Sequence, residues 1–326
     1  MTQSPLSLQR LRDDQSGIAL IVVLMVVAIM MILVIEFVDS TRINLYIASN
    51  VANGMKASYL AKSGIFVAAG AMLDDGQDDK EDHLWEEWAQ ALPPLPGGEG
   101  WVTVEIIDES SKFNVNKLVK NSGVVNTVQK DVFQRILTSL ELDPNLVDPI
   151  IDWIDEDSEA QIGGEEDAMY GYSAQTDSYK SKNGPLLSMD ELTMINGITD
   201  EIYQKIKPYI TIYGDNKLNL NTVEKTVLNA YVQALTGDED TKPASEIITW
   251  RDTEDNYFKD KKIRATLTND VGIDPLIARR LEKFFTTGSR YFSVKTEAVV
   301  GESTKRAWGV LKRSKKKVSV IYYRAG

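Results

Sequence analysis

A long run of apolar residues dominates the N-terminal part of the chain. From Ile18 to Ile35 there is no charged residue, and the run lies between Gly17 and Glu36. A helix of these eighteen residues, rising about 1.5 Å per residue, has roughly the length of the hydrocarbon core of a bilayer. A lone spanning segment can satisfy its backbone polar groups only as a helix. The pattern therefore predicts a membrane helix, with the following residues on one side of the membrane.

The apolar periodicity continues beyond this segment. Between Asp39 and Leu73, apolar residues recur at spacings of three and four, as in an amphipathic helix: Ile43, Ile47, Val51, Met55, Tyr59 and Phe66. We therefore expect one continuous helix of about 55 residues from Ile18, far longer than an ordinary globular helix. A coiled-coil stalk is the alternative, but the apolar positions follow no regular heptad.

Alternating apolar and polar residues predict strands in two separate parts of the chain. One strand is Trp101–Ile107, and three more are Tyr291–Val300, Arg306–Leu311 and Lys317–Tyr323. The last three predict an antiparallel meander, and together the four strands form a sheet that can pack on the soluble half of the long helix. The basic residues between Lys312 and Lys317 suit an acidic partner, or equally a turn that protects an edge strand.

The residues between these two parts have helical periodicity. Amphipathic helices are predicted around Val132–Leu140 and Leu146–Ile154. Pro185–Tyr213 predicts a helix, a tight turn and a second helix, as in a helix-hairpin-helix, and a weaker copy begins at Asp270. Asn221 and Glu224 predict a capping pair for the helix that follows them.

The two hairpin turns are acidic where a DNA-binding hairpin would hold a phosphate. Thr199 replaces the second glycine of the first turn and is followed by Asp200 and Glu201, and Asp274 takes the same place in the second turn. These residues favour a structural or protein-binding role over DNA binding.

A dense acidic loop follows the second predicted helix. Seven acidic side chains lie between Asp155 and Asp167 without a lysine or arginine: Asp155, Glu156, Asp157, Glu159, Glu165, Glu166 and Asp167. Carboxylates on a glycine-containing loop are suitable Ca²⁺ ligands, although the spacing is not that of an EF-hand. A solvated acidic loop is the other interpretation, and the residues alone leave both open.

Composition narrows the classes of function. The net charge is −12, which disfavours phosphate backbones as partners. Cysteine is absent, which excludes disulfides, and His83 is the single histidine, which disfavours a His-based triad or a zinc site. Since the sequence also contains no phosphate loop and no pairing of a nucleophile with a base, we expect the protein not to be an enzyme.

Several segments together carry a resemblance to a known family. The polar leader ending in Gly17, followed by an intact apolar helix, resembles the type IV prepilin class. The segment Asp108–Asn116 (DESSKFNVN) and the later Asp152–Asp155 (DWID) extend this likeness. Over nearly its whole length the chain resembles the K-type minor pseudopilins of type II secretion systems.

This resemblance implies an α+β fold. A long N-terminal pilin-like helix would pack on an antiparallel sheet, with a large inserted all-α domain that contains helix-hairpin-helix-like units. The expected divisions are a cleaved leader at 1–17, a transmembrane part at 18–38, the periplasmic helix and first strand at 39–118, the insert at 119–285, and a C-terminal β-meander at 286–326.

The resemblance also implies a function in assembly. Such a protein lies at the tip of the pseudopilus and initiates or caps its assembly with minor pseudopilins of the I, J and H types, for protein export across the outer membrane. It is a single-pass inner-membrane protein with a cytoplasmic N-terminus and a periplasmic bulk, an orientation that Arg10 and Arg12 support. Further implied partners are the prepilin peptidase, secreted substrate and the outer-membrane secretin, and no nucleic acid.

Three kinds of site follow from the resemblance. The peptidase would cut between Gly17 and Ile18, and methylation of the new N-terminus is implied. Val22 becomes the fifth mature residue, where most pilins have a glutamate that pairs with a neighbour's N-terminal amine; an apolar residue suits a subunit without that neighbour. The implied calcium ligands are Asp155, Asp157, Glu159, Glu166 and Asp167.

Two other functions remain as alternatives. One is a membrane-anchored helix-hairpin-helix protein that binds DNA for uptake, which would need basic rather than acidic turns. The other is an uncleaved, anchored scaffold outside any pilus system, in which Gly17 has no role.

Overall fold

The computed structural model describes residues 10–78, 81–156, 181–314 and 317–326. Its longest element is helix α1 (Arg10–Asp78), an unbroken run of 69 residues. This helix confirms the continuous periodicity and extends beyond Leu73, where the predicted helix ends. No proline occurs between Pro5 and Pro93, so no residue of α1 lacks a backbone N–H.

Five antiparallel strands form a sheet against the C-terminal half of α1. They are β1 (Leu95–Gly97), β2 (Gly100–Asp108), β7 (Tyr291–Val300), β8 (Ser303–Ser314) and β9 (Lys317–Ala325). Their spatial order is β1–β2–β7–β8–β9. The four predicted strands are therefore confirmed. Strand β1 is not predicted, because Pro96 suggests a break rather than a short edge strand.

The sheet and α1 share one hydrophobic core. Alternate residues of the strands face α1 and pack against one face of the helix. The helix contributes Ala61, Ile65, Ala68 and Met72 to this core, and the segment after the helix contributes Trp88. The strands contribute Val102, Val104, Ile106, Phe292, Val294, Ala298, Ala307 and Leu311. From Gly17 onward, the first buried residue of α1 is Ala57, so residues 17–56 do not contribute to this core.

Gly64 allows a close approach of α1 to the sheet. A Cβ atom at Gly64 would lie 2.9 Å from Cγ2 of Thr296 and 3.0 Å from Cγ2 of Val102. The Thr296 hydroxyl also donates a hydrogen bond to the carbonyl of Ala61 at 2.9 Å. Contact of this kind fixes the distance between the helix and the central strand.

A larger residue at this position should destabilise the protein. We expect Gly64→Ile to lower the free energy of unfolding by about 1–3 kcal/mol, because the helix must move away from β7. The matched control is Gly70→Ile, since a Cβ at Gly70 has no neighbour within 4 Å. Thermal unfolding of the full chain in detergent measures both variants, and equal midpoints would contradict the close approach.

A helical insert lies between β2 and β7. Its helices are α2 (Thr127–Ser139), α3 (Val147–Ile154), α4 (Asp200–Ile206), α5 (Lys225–Thr236), α6 (Lys242–Arg251), α7 (Ile263–Thr266) and α8 (Pro275–Leu281). Four two-residue strands accompany them: β3 (Phe113–Asn114), β4 (Ile210–Thr211), β5 (Leu218–Asn219) and β6 (Phe285–Thr286). The insert has its own hydrophobic core, whose buried residues run from Phe113 to Phe285.

The insert consists of two similar units, each closed by a parallel strand pair. Strand β3 pairs with β4 in the first unit, and β5 pairs with β6 in the second. The side chains of Asn114 and Asn219 occupy matching positions, and each accepts a hydrogen bond at 3.0 Å from the backbone N–H two residues later. The repeated Lys-x-Asn-x-Asn segment therefore has the same structural role in both units.

Each unit contains one of the predicted hairpins. In the first, a 3-10 helix (Met189–Met194) leads through Gly197, at φ +83°, into α4. In the second, a π-helical turn (Leu267–Val271) leads through Gly272, at φ +88°, into α8. The positive φ explains glycine at both turns. The helix–turn–helix pattern is confirmed, although the segments directly before the two glycines are a 3-10 helix and a π-helical turn.

The predicted capping pair at Asn221 and Glu224 is wrong. Glu224 is itself the N-cap of α5, and its carboxylate accepts a hydrogen bond from Thr226 N at 2.6 Å. Asn221 is fully buried and bonds both the N–H and the carbonyl of Phe258, at 2.6 and 3.0 Å. It ties two segments of the insert together, a contact that local spacing cannot reveal.

Candidate functional site

The N-terminal part of α1 is an extended apolar surface. Ile18 and nearly all large apolar residues up to Ile47 are exposed, and the segment from Gly17 is the one helix of the described chain that is long and apolar enough to cross a membrane. Exposed apolar surface of this extent marks contact with lipid or protein. The predicted single-pass anchor therefore has the geometry that it requires.

Gly17, Ile18 and Val22 all lie within this helix. A Cβ at Gly17 has no neighbour within 4 Å, so Gly17 is not needed for packing within the described chain. The Val22 side chain is 54% exposed on the apolar surface. The first carboxylate after Gly17 along α1 is that of Glu36, beyond the predicted apolar segment.

Only one of the predicted calcium ligands lies within the described residues. Asp155 is 1% exposed and follows α3 directly, where its N–H donates to the carbonyl of Ile151 at 2.9 Å. Asp157, Glu159, Glu166 and Asp167 lie outside the described residues.

A second buried carboxylate precedes Asp155 on α3. Asp152, three residues earlier on α3, is also fully buried. Buried carboxylates in proteins are paired or coordinate metals. On the other side of the loop, Gly184 N donates to the carbonyl of Trp153 at 3.4 Å, which holds the two ends of the loop together.

A polar junction connects the insert to the pilin-like part. Asp82 is 1% exposed; its carboxylate is bonded to the Arg313 guanidinium and accepts a hydrogen bond from Ser289 N at 2.5 Å. Arg313 also pairs with Asp75 near the C-terminal end of α1. The carboxylates of Asp75, Asp82 and Glu86 lie within 4.8 Å of one another, so Arg313 supplies a positive charge to a crowded acidic group.

Asp108 extends this junction into the insert. Its carboxylate accepts hydrogen bonds from the hydroxyls of Ser289 and Thr222, at 2.6 and 2.5 Å. The amide of Asn219 donates to Asp108 at 3.3 Å, to Ser289 Oγ at 3.0 Å and to the carbonyl of Asp82 at 2.9 Å. These contacts join the end of β2, the second unit of the insert and the chain entering β7.

Sequence reasoning missed the junction as a site. The signal was present in the segment that begins with Asp108 and in the repeated Lys-x-Asn-x-Asn segment that contains Asn219. However, their partners lie far away in the sequence: Ser289 is 181 residues from Asp108, and Asp82 is 137 residues from Asn219. The two partners, which also bond each other, are 207 residues apart.

Burial raises the pKa of two junction carboxyls. Desolvation raises the pKa of Asp82 to about 7, against the opposing effect of Arg313. Desolvation likewise raises the pKa of Glu86 to about 8. The pKa of the buried Asp108 is also raised, again mainly by desolvation. In the folded protein these groups therefore bind protons more tightly than in the unfolded chain.

The stability of the protein should consequently fall as pH rises. Protonated Asp82 and Glu86 favour folding, and this contribution is fully present below about pH 4 and lost as pH rises through about 7 and 8. We expect urea unfolding of the full chain in detergent to show decreasing stability from pH 5 to 8. Asp82→Asn should flatten this slope, whereas Asp131→Asn, in a surface pair with Arg135, should not. An unchanged slope in Asp82→Asn would contradict the assignment.

The chain's own side chains cap the helices that follow both hairpin turns. Thr199 Oγ1 accepts a hydrogen bond from Ile202 N at 3.3 Å. Asp274 Oδ1 accepts from Leu276 N at 2.8 Å and from Ile277 N at 3.3 Å. Side-chain oxygens thus occupy at least some of the amides that a DNA-binding hairpin offers to a phosphate.

Comparisons with known proteins point to one family. The family model for "Type II secretion system (T2SS), protein K" matches residues 111–215. Type II secretion system protein K of Pseudomonas aeruginosa is 28% identical over 94% of this chain and 91% of its own length. The protein of the same name from Aeromonas hydrophila is 26% identical over 92% of this chain and 94% of its own length.

A solved structure has the same fold. It is the crystal structure of the GspK–GspI–GspJ complex from the type 2 secretion system of enterotoxigenic Escherichia coli. One of its chains matches with a TM-score of 0.68 at 18% identity, covering 88% of this chain and 99% of that chain. The match supports the α+β architecture described above, including the helical insert.

Proposed function

Because this chain belongs to the family of type II secretion system protein K, we propose that it acts as the minor pseudopilin at the tip of the secretion pseudopilus. Its function there is assembly rather than catalysis. The apolar helix leaves the inner membrane and packs with the helices of minor pseudopilins of the I, J and H types. The solved complex of K, I and J proteins supports the first two partners.

The position of the insert is the observation that carries this proposal. The insert meets the pilin-like part at the far end of α1: Asp260 N donates to Glu81 at 2.8 Å, and Trp85 Nε1 donates to the carbonyl of Arg251 at 3.3 Å. At about 1.5 Å per residue, this end is roughly 90 Å from Gly17. A subunit stacked above would collide with the insert, whereas subunits below can pack along α1. The top of a filament suits such a shape.

Val22 supports the same position. An unpaired charge within a bilayer or an apolar helix bundle is costly. In pilins the glutamate at this place pairs with the N-terminal amine of a neighbouring subunit. A subunit at the tip has no such neighbour, and the exposed apolar side chain of Val22 needs none.

Maturation and orientation follow from the same assignment. The leader 1–17 faces the cytoplasm, a prepilin peptidase cuts between Gly17 and Ile18, and the new N-terminus is methylated. The sheet and the insert then lie in the periplasm, where the insert contacts secreted substrate or the outer-membrane secretin. The bare apolar surface of α1 near Ile18 supports the anchor on which this orientation depends.

The acidic loop is proposed to hold calcium. Asp155, Asp157, Glu159, Glu166 and Asp167 would supply carboxylate oxygens, with backbone carbonyls completing the set of ligands. When bound, the ion neutralises carboxylates that otherwise repel one another. The burial of Asp155 and Asp152 at the start of the loop supports this role, which is structural.

Labelling of isolated pseudopili tests the position at the tip. Gold-labelled antibody against the insert, viewed by electron microscopy on pseudopili sheared from cells, should mark one end of each filament. Antibody against the major pseudopilin is the control and should mark the whole length. Label from the insert antibody along the filament, or its absence from both ends, would overturn the proposal.

A further inference from the structure

The two edges of the five-stranded sheet differ in their protection. Strand β1 has three residues, includes Pro96, and lies so close to Leu60 that a Cβ at Gly97 would meet its side chain. Short length and proline are devices that prevent an edge strand from pairing. Strand β9 has nine residues, contains no proline, and has no further strand beside it among the described residues.

Strand β9 offers apolar side chains as well as unpaired backbone groups. Ile321 is 44% exposed and Tyr323 is 41% exposed, and a bulge opposite Val310 and Leu311 interrupts the register with β8 beside Ile321. Neighbouring side chains point to opposite faces: Arg324 reaches Asp190 of the insert, and Tyr323 lies below Lys62 of α1. Nine residues at about 3.3 Å each give an edge of roughly 30 Å.

Basic residues surround this edge. Between residues 305 and 324 there are eight lysines and arginines and no acidic residue, in a chain with a net charge of −12. The three arginines form ion pairs with acidic residues of the same chain. These pairs are Arg306 with Glu297, Arg313 with Asp75 and Asp82, and Arg324 with Asp190.

Three exposed lysines lie beside the edge, two from this segment and one from α1. Lys317 begins β9, Lys305 lies just beyond the last pair of β8 and β9, and Lys62 covers the Tyr323 ring at 5.6 Å. None of the three forms an ion pair with another residue in the described part of the chain. They therefore carry uncompensated positive charge at both ends and on one face of the strand.

We propose that the β9 edge binds an extended acidic segment of a partner protein as an added strand. The backbone groups of β9 hydrogen-bond the segment, its apolar residues cover Ile321 and Tyr323, and its carboxylates meet Lys62, Lys305 and Lys317. The proposal goes beyond a role at the tip, because it concerns the sheet edge rather than the packing of α1.

Lysines on an edge strand have another well-known effect. They prevent edge-to-edge aggregation, and in that case they require no partner. The two explanations give opposite results when an acidic strand-forming peptide is offered, because protection excludes added strands whereas binding selects acidic ones.

Peptide binding to the full chain in lipid nanodiscs tests the proposal. The probe is a fluorescent ten-residue peptide of alternating valine and glutamate, measured by anisotropy at low salt. It should bind at least tenfold more tightly than the same peptide with lysine in place of glutamate, or with a central proline. Hydrogen exchange should show slower exchange of β9 amides when the acidic peptide is bound.

Matched lysine variants distinguish binding at the β9 edge from nonspecific attraction between the peptide and positive charge elsewhere on the protein. Replacing Lys62 and Lys317 by serine should weaken binding of the acidic peptide about three- to tenfold, because two exposed ion pairs are lost. Replacing Lys120 and Lys283, which are exposed elsewhere on the insert, should leave it unchanged.

Two results would overturn the proposal. One is equal affinity for the acidic and basic peptides, or unchanged exchange of the β9 amides. The other is self-association of the Lys62 and Lys317 variant when the original chain binds no acidic peptide, which would assign the lysines to edge protection alone. The assay contains no other pseudopilin, so its failure leaves the position at the tip to its own test.

Discussion

Gly17→Val should abolish maturation of the protein. We expect the chain expressed with a prepilin peptidase to start at a methylated Ile18, and the variant to keep its full leader. The physical reason is local, because the peptidase must reach the backbone at the junction and a branched side chain blocks that approach. Intact-mass spectrometry with and without the peptidase measures the result, and we expect a loss of cleavage of more than about 100-fold, equivalent to roughly 3 kcal/mol in the barrier.

The structure makes this variant a clean test. A Cβ at Gly17 has no neighbour within 4 Å, and neither has one at Gly54 in the same helix, so Gly54→Val is a matched control that should be cleaved normally. A start at Met1 with and without the peptidase in the original chain would show that Gly17 is not a cleavage site. The chain would then be an anchored scaffold with an uncleaved helix.

Removing calcium should markedly lower the thermal stability of the insert. A ligand present at about 100 times its dissociation constant stabilises the folded state by about 2.7 kcal/mol. For a unit of this size we therefore expect the unfolding midpoint to fall by roughly 5–10 °C when a chelator is added. Circular dichroism of the full chain in detergent, at 222 nm and with Ca²⁺ or chelator, would measure the change.

Asp155→Asn should remove most of the shift that Ca²⁺ produces. The side chain is almost fully buried at the start of the acidic loop, so it can contribute to a fixed ligand set. Asp238→Asn is the control, because Asp238 lies exposed in another acidic loop. The same midpoint with Ca²⁺ and with chelator, or an equal effect of Mg²⁺, would identify a solvated acidic loop instead.

Periodicity in the sequence was sufficient to predict the main elements. The strands β2, β7, β8 and β9 and the helix α1 each have a repeating apolar pattern that reflects one buried face, and such a pattern can be read locally. The same holds for α2 and for the glycine turns of both hairpins, because a positive φ restricts the residue type.

The junction and the strand pairs of the insert could not be predicted in this way. Asn219 contacts Asp82, Asp108 and Ser289, which are 137, 111 and 70 residues away, and no periodicity connects such positions. For Asn221, local spacing gave a wrong prediction rather than none. Its spacing to Glu224 suggests a cap, but the tertiary contact with Phe258 determines its role.

The prediction of the calcium ligands and of the cleavage site depended on resemblance to a family rather than on hydrophobic periodicity. Acidic loops are common without an ion, and a single glycine before an apolar segment is weak as a signal. For the predicted calcium ligands, the structure adds one observation, which is that Asp155 is buried. The residues that follow it in the sequence are polar, so the sequence alone would place Asp155 at the surface.

The insert occupies the place of a hairpin loop. Strands β2 and β7 pair in antiparallel register up to Asp108 and Phe292, as two strands joined by a short turn would. The 183 positions between these two residues can therefore vary in length without disturbing the register or the face that packs on α1. Evolution could enlarge or remodel the head of the protein while the part that enters a filament kept its shape.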